Sequence, residues 1–205
     1  MQWPWEKDPA GWPKLLVKSI LTTLFNVLVV AFVVVLIDSS IDFKFVMDPA
    51  QEPPVTTMLW QFVVMFVAQE VGFYLVHRTV HHPSLYWIHK KHHNYYSTIT
   101  LAAQYCHPLE QMMANVVPTG IGYTLLSKVY PVHIYAVIIW LTFRMFETYD
   151  GHCGYDWPWS QAGILPFSAG GTYHSFHHSK NSGNYSAMLH ILDTVLTTND
   201  DFQRE

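Results

Sequence analysis

The stretch "SILTTLFNVLVVAFVVVLI", Ser19 to Ile37, carries no charged side chain and no polar stripe. About 20 such residues suffice to cross the hydrocarbon core of a bilayer as a helix. The alternative, a buried core helix, usually keeps one polar face, and this run keeps none. A second run, Val55 to Val76, has one charged residue, Glu70. Two shorter apolar segments, Met112 to Leu126 and Val132 to Phe146, read as tilted spans or as a re-entrant hairpin. Charged residues make up only 13% of the chain, against roughly 25% in an ordinary soluble domain. The reading is an all-α integral membrane protein with about four transmembrane or re-entrant helices. Its spans lie near 19–37, 55–76, 112–126 and 132–146. A polar N-terminal segment, 1–14, precedes a single membrane domain, 15–205.

The net charge of -4 leaves no basic footprint for nucleic acid. Cys106 and Cys153 stand far apart, which argues against a disulfide scaffold and a thiolate metal site. The polar, tryptophan-rich start "MQWPWEKDPAGWPK" does not read as a secretory signal. The connector between the first two runs holds Asp38, Asp42, Asp48 and Glu52 against Lys44, and its Pro53-Pro54 pair marks a turn. Lys14 and Lys18 precede the first span, and Arg78, Lys90, Lys91 and Lys180 follow the second. By the positive-inside rule, the N-terminus and the segments after the second span face the cytoplasm. Trp3, Trp5, Trp12, Trp157 and Trp159 suit a membrane–water interface. The "NYS" at Asn184 matches a glycosylation sequon but lies on the cytoplasmic side in this topology, so it is expected to be unmodified.

The histidines are concentrated. "HRTVHHPSLYWIHKKHH" holds His77, His81 and His82, then His89, His92 and His93; "GTYHSFHHSKNSGNYS" holds His174, His177 and His178. The last two sets share the spacing H-x-x-H-H. On a helix, positions i, i+3 and i+4 share one side, so three such imidazoles converge on one point or on two adjacent points. His77 and His81 stand at i and i+4; His82 is turned away on a regular helix, and its role stays open. Eight ligands exceed the four that close a tetrahedral structural zinc site, which points to two metal ions. Imidazole suits zinc, copper, iron and nickel, and the spacing does not choose between them. A pH-sensing or solvated histidine surface would not explain the repeated spacing. His133 and His190 stand alone and read as interfacial or hydrogen-bonded residues. Carboxylates that hold a ligand's second nitrogen come from Glu70, Glu110, Glu147, Asp150, Asp156 and Asp193. Glu70, two helical turns before His77, either orients that ligand or pairs with Arg144.

These motifs, with "CHPLE", "RMFETYDGHCGYDWPW", "PFSAGGTYHSFHH" and "GNYS", give the chain from about Phe73 to Asp193 a resemblance to the fatty acid hydroxylase/sterol desaturase superfamily. "HKKHH", "HPLE" and "GYDWPW" are most similar to its methylsterol monooxygenase (sterol 4-methyl oxidase) subgroup. The resemblance implies a four-helix membrane domain under a cytosolic, histidine-rich helical cap, with two irons (zinc as a substitute) held by His77, His81, His89, His92, His93, His174, His177 and His178. It adds His152 as a ninth ligand. His107 matches a recurrent family histidine whose contact with metal stays open. Gln104, Cys153, Tyr173 and Ser175 depart from the subgroup pattern, which has an acidic residue, a serine, a histidine and an aspartate there. These changes touch substrate and tuning rather than the ligand set.

The implied chemistry is O2-dependent oxidation of a lipid, in this subgroup a sterol 4-methyl group. Electrons come from NAD(P)H through cytochrome b5 and its reductase. The location is the endoplasmic reticulum in a eukaryote and the inner membrane in a bacterium. Phe73, Tyr74, Tyr86 and Trp87 are candidates to shape the lipid's path, or pack ordinarily. A sterol desaturase or fatty acid hydroxylase would share the same core. A metal-handling membrane protein is the reading from another class, but transporters place ligands within their spans, and these histidines lie mostly outside.

Overall fold

The fold is that of a computed structural model that describes residues 2–38 and 45–204. Asp42 and Lys44 of the acidic connector lie outside the described residues, and for Val35, Ile37, Asp38, Gln161 and Ala162 only the backbone is described. The first long helix, α1, is Trp12–Asp38, and α2 is Val55–Val80. Both are long and apolar enough to cross a membrane. Leu21, Leu24, Leu28 and Phe32 of α1 are each more than half exposed. An apolar surface so open is unsuited to water and suited to lipid.

The third apolar segment is longer than the sequence reading had it. Helical structure continues unbroken from Pro108, through a π-helical stretch Gln111–Val116, into α3, Val117–Val129. Pro118 sits near the start of α3, where a missing N–H is tolerated. The fourth helix, α4, is Ile134–Gly151 and carries Arg144, Glu147 and Asp150 in its second half. The histidine-bearing α5 is Gly171–Lys180, closed by Asn181 in the left-handed region, φ 59°.

Helices α2 and α3 pack closely because Gly122 has no side chain. A Cβ there would stand 2.6 Å from the Cα of Met65. Around this contact Met65, Leu126, Val137 and Trp140 form a buried core flanked by Phe62, Phe66 and Phe143. Hydrogen bonds cross it: Thr119 donates to Gln69 at 3.0 Å, and the Trp140 indole donates to the Thr119 carbonyl at 2.9 Å, while Gln69 Nε2 has no partner among the described residues. An unpaired polar group in such surroundings would cost on the order of 1–3 kcal/mol.

The helices share one end. A short parallel ribbon joins β1, Phe45–Val46, to β2, Val132–His133. Gln61 donates to the Pro131 carbonyl at 3.0 Å, and the His133 ring meets the Asp48 carbonyl at 3.1 Å. His133 therefore has the hydrogen-bonded role expected of it, and His190 contacts the Thr194 hydroxyl at 3.1 Å. From Gln61 to His77 α2 rises roughly 24 Å, at 1.5 Å per residue, so the ribbon and the histidines lie at opposite ends of the bundle. At the histidine end α1 is tied down by Ser19, 2.7 Å from the Tyr95 hydroxyl, and by Asn26, whose amide donates to the Gln104 and Cys106 carbonyls at 3.3 and 3.2 Å.

Candidate metal centre

Four parts of the chain deliver imidazole to one place. His77 is in the last turn of α2, and His81 caps that helix. Pro83 follows and cannot supply the backbone N–H that would extend it. The chain turns and re-enters a single helical turn, Tyr86–His89, and then a 3-10 turn, His92–Asn94. His152 caps the end of α4, and α5 carries His174, His177 and His178.

The nine rings sort into two adjacent groups. His77, His81, His89, His93 and His177 form one; His92, His152, His174 and His178 form the other. In each group, one ligand nitrogen per residue lies within 4.8 Å of all the others. The groups touch: the rings of His93 and His178 are 4.6 Å apart between centroids. His82 and His107 belong to neither. His82 contacts the Ser84 hydroxyl at 2.8 Å, and His107 accepts from the Leu109 N–H at 3.2 Å.

Each H-x-x-H-H motif is divided rather than shared. His89 and His93 join one group while His92 joins the other; His174 and His178 join one while His177 joins the other. On a helix, i and i+4 differ by only about 40° around the axis, whereas i+3 and i+4 differ by about 100°. Of the two outcomes the spacing allows, the chain therefore takes two adjacent points.

Hydrogen bonds fix which nitrogen faces inward. The Nδ1 of His77 contacts the Tyr185 carbonyl at 2.8 Å, that of His177 the Gly183 carbonyl at 2.6 Å, and that of His178 the Tyr95 carbonyl at 2.7 Å. His152 Nδ1 contacts the Thr148 carbonyl at 2.8 Å, and His89 Nδ1 meets Glu110 Oε1 at 2.7 Å. A carbonyl only accepts, so those rings place their proton on Nδ1 and leave a lone pair on Nε2. The inward Nε2 atoms then face one another: 2.9 Å between His174 and His152, 3.2 Å between His178 and His174, 3.3 Å between His152 and His92. In the other group His93 and His89 are 2.9 Å apart, and His81 and His177 3.2 Å. Such distances suit an N–H···N bond between two neutral rings, and they equally suit two nitrogens that share one metal ion. With imidazole–metal bonds of about 2.1 Å, neighbouring ligands about 90° apart stand about 3 Å from each other. The residues present fit a metal ion in each group.

Burial keeps these rings neutral. It lowers His81 to about 2, with His77 and His93 adding to the effect. It lowers His93 to about 3 and His152 to about 4. His89, His92, His174, His177 and His178 are held well below the ordinary histidine value, first by burial and then by one another. Neutral imidazole is the form that ligates.

Two carboxylates support the groups in different ways. Glu110, buried at the start of the third helical segment, holds His89 directly. Asp193 is fully buried and acts one step further out. It accepts from the Tyr185 and Ser186 N–H groups, both at 2.8 Å, from the Tyr173 hydroxyl at 2.9 Å and from Thr198 at 2.6 Å. This ties down the turn whose carbonyls hold His77 and His177. Gly183 makes that turn with φ at 70°, a conformation open to glycine. Glu70 does not orient His77; it accepts from the Met188 and Leu189 N–H groups at 3.3 and 2.8 Å and lies in the field of Arg144, the partner expected of it, which also pairs with Glu147. Asp156 accepts from Thr172 at 3.1 Å and Asp150 from Ser160 at 2.5 Å, so neither reaches a histidine of the two groups through these bonds. The reach of Asp193 through backbone carbonyls was invisible in the spacing, although "GNYS" and Asp193 mark its two ends. Of the aromatics considered for the lipid path, Phe73 lines a cavity beside the groups. Tyr74 bonds Thr198, Tyr86 bonds Asn181, and half-exposed Trp87 packs on His107.

The chain is similar in sequence to known proteins. The chain is 35% identical over 153 residues to C-4 methylsterol oxidase of Schizosaccharomyces pombe, covering 74% of this chain and 51% of that protein. It is 37% identical over 147 residues to a methylsterol monooxygenase of Aspergillus fumigatus, covering 71% and 50%. Against methylsterol monooxygenase 1 of Danio rerio it is 35% identical over 139 residues, covering 67% and 46%. The chain thus spans about half the length of the curated relatives it matches. No solved structure gives a significant match. The fatty acid hydroxylase model matches residues 62–198, which hold most of α2, both imidazole groups and the turn that Asp193 orders, and the chain belongs to the fatty acid hydroxylase family.

Proposed function

We propose that the chain is a membrane oxygenase that oxidises the C-4 methyl group of a sterol with O2, using two irons held by the two imidazole groups. The observation that carries this reading is the convergence of nine histidine nitrogens in two adjacent groups, each with its ligand atoms within 4.8 Å of one another. The named activity of the relatives supplies the substrate class. His77, His81, His89, His93 and His177 would hold one iron; His92, His152, His174 and His178 the other. When bound, the pair would supply O2 activation and removal of hydrogen from an unactivated C–H bond.

The chain's own residues do the rest. The carbonyls of Tyr185, Gly183, Tyr95 and Thr148 and the carboxylate of Glu110 lock the tautomers, so ligands need no reorganisation when metal enters. Burial of the rings excludes bulk water from a reactive site. Because α2 ends at the histidines, the target carbon reaches them from the bilayer without leaving it. In this reading all four long helical segments cross or enter the membrane, since the ribbon joins both hairpins at the end away from the histidines. The histidine end faces the cytoplasm, of the endoplasmic reticulum in a eukaryote or of the inner membrane in a bacterium. Reducing equivalents come from NAD(P)H through a separate carrier of the cytochrome b5 type.

The test is lipid profiling of cells lacking a methylsterol oxidase, with and without this chain, under isotope-labelled O2. The expected result is loss of accumulated 4-methyl sterols and label in the product. Unlabelled, unsaturated product would replace hydroxylation by desaturation. Absence of any product from iron-loaded protein with a working electron donor would end the reading.

A further inference from the structure

A cavity of about 30 Å³ opens beside the four-histidine group. Phe73, Asn115, Arg144, Glu147, His152 and His174 line it. Arg144 and Glu147 are 5% and 7% exposed and form an ion pair. Arg144 Nε has no hydrogen-bond partner among the described residues. Asn115 comes from the π-helical stretch, a local distortion found frequently at functional sites. A buried ion pair is costly to form and adds little stability over apolar packing, so its place against two ligand-bearing walls calls for another explanation.

The size of the cavity limits what enters it. A water needs roughly 10–15 Å³, so the cavity takes a methyl or hydroxyl-sized group. An acyl chain threading past, with methylenes on both sides, would not fit. The walls add a second limit: a group next to His152 and His174 is also next to a guanidinium and a carboxylate. An entirely apolar lipid segment would leave Arg144 Nε without an acceptor.

We propose that Arg144 and Glu147 form a polar subsite that reads a hydroxyl three bonds from the carbon oxidised, on the neighbouring ring carbon, and so select a ring lipid attacked beside its polar end over an acyl chain attacked at mid-length. Arg144 Nε–H donates to the hydroxyl oxygen, and the hydroxyl proton is donated to the Glu147 carboxylate. This deepens the sterol reading and rests on it, because the four-histidine group is taken as the reacting side.

The experiment uses the full chain, iron-loaded, in detergent with bilayer lipid. The probes are a radiolabelled 4-methyl sterol bearing a 3-hydroxyl and the same sterol with hydrogen at that carbon. Equilibrium binding and turnover are measured separately. The expected result is at least tenfold tighter binding of the hydroxylated sterol. In the double variant Arg144→Met/Glu147→Gln, which removes both charges together, that preference falls to within twofold of unity while iron content holds. Equal binding of the two sterols by the unaltered protein overturns the subsite, and needs no variant to fold. A preference that survives in the double variant also overturns it. Selective binding without turnover supports the subsite and removes the oxygenase reading, so the two failures are separable.

Discussion

His92 and His93 are neighbours in sequence, yet their rings serve different imidazole groups, 5.8 Å apart between centroids. Adjacent residues on a 3-10 turn point about 120° apart. The pair therefore straddles the boundary between the groups, and each can be removed without touching the other group's ligands.

His92→Ala leaves three ligands in the four-histidine group, and His93→Ala leaves four in the other. Elemental analysis of purified protein should show a larger metal loss for His92→Ala. Activity should fall in both by more than the roughly 10–100-fold typical of losing a supporting residue. Equal metal loss in the two variants would mean that the groups do not bind separately.

Glu110→Ala removes the partner of His89 Nδ1 and should weaken metal binding by about 10–100-fold. Glu110→Gln keeps a carbonyl oxygen that can accept the same proton and should retain most of the affinity. Competition with a chelator of known strength measures both. Identical behaviour of Gln and Ala would show that the contact does not orient the ring.

Asp193→Ala removes the acceptor for four donors in a buried setting, with a cost of about 3 kcal/mol or more. Metal affinity should drop in the five-histidine group, because the freed turn carries the carbonyls that hold His77 and His177. Titration with a spectroscopically visible divalent ion should show one site weakened and one intact. Equal weakening of both would make Asp193 a global rather than a local support.

The metal-free protein should lose stability as pH falls. His81, His93 and His152 have folded values of about 2, 3 and 4, all below the 6.5 of a free histidine. Below about pH 6.5 the unfolded chain binds protons that the folded chain refuses, so stability is full above that pH and declines toward the folded values. Melting of chelator-treated protein from about pH 8 to about pH 5 should show a steadily lower midpoint. A flat profile would show that the rings are hydrated in the metal-free state.

Much of this was legible because the governing quantities are local. Charge-free runs mark α1 and α2, and four-residue spacing marks which histidines share a group. His152 is different: no helical spacing links it to its group, and only its place in "GHCGYD" suggested it. The sequence reading starts the third segment at Met112, because Gln111 and Glu110 interrupt the apolar pattern. Helical structure continues through them, since Glu110 has His89 as a partner and Gln111 accepts from Asn115 at 3.2 Å. Glu70 looked like a histidine's partner from its two-turn spacing, but the nearest free donors were backbone N–H groups from Met188 and Leu189, over a hundred residues on. Contacts that depend on where a distant loop returns leave no periodic trace in the sequence.

Both imidazole groups draw ligands from α5, which lies late in the chain. During synthesis from the N-terminus, His77 and His81 are in place long before His174, His177 and His178 exist. Neither group can be completed by an incomplete chain. Under the proposed function, metal loading would be a closing event that joins helices made at different times. A chain stopped before α5 would retain its two most apolar helices and nine of its thirteen histidines, but only four rings of the five-histidine group and two of the four-histidine group.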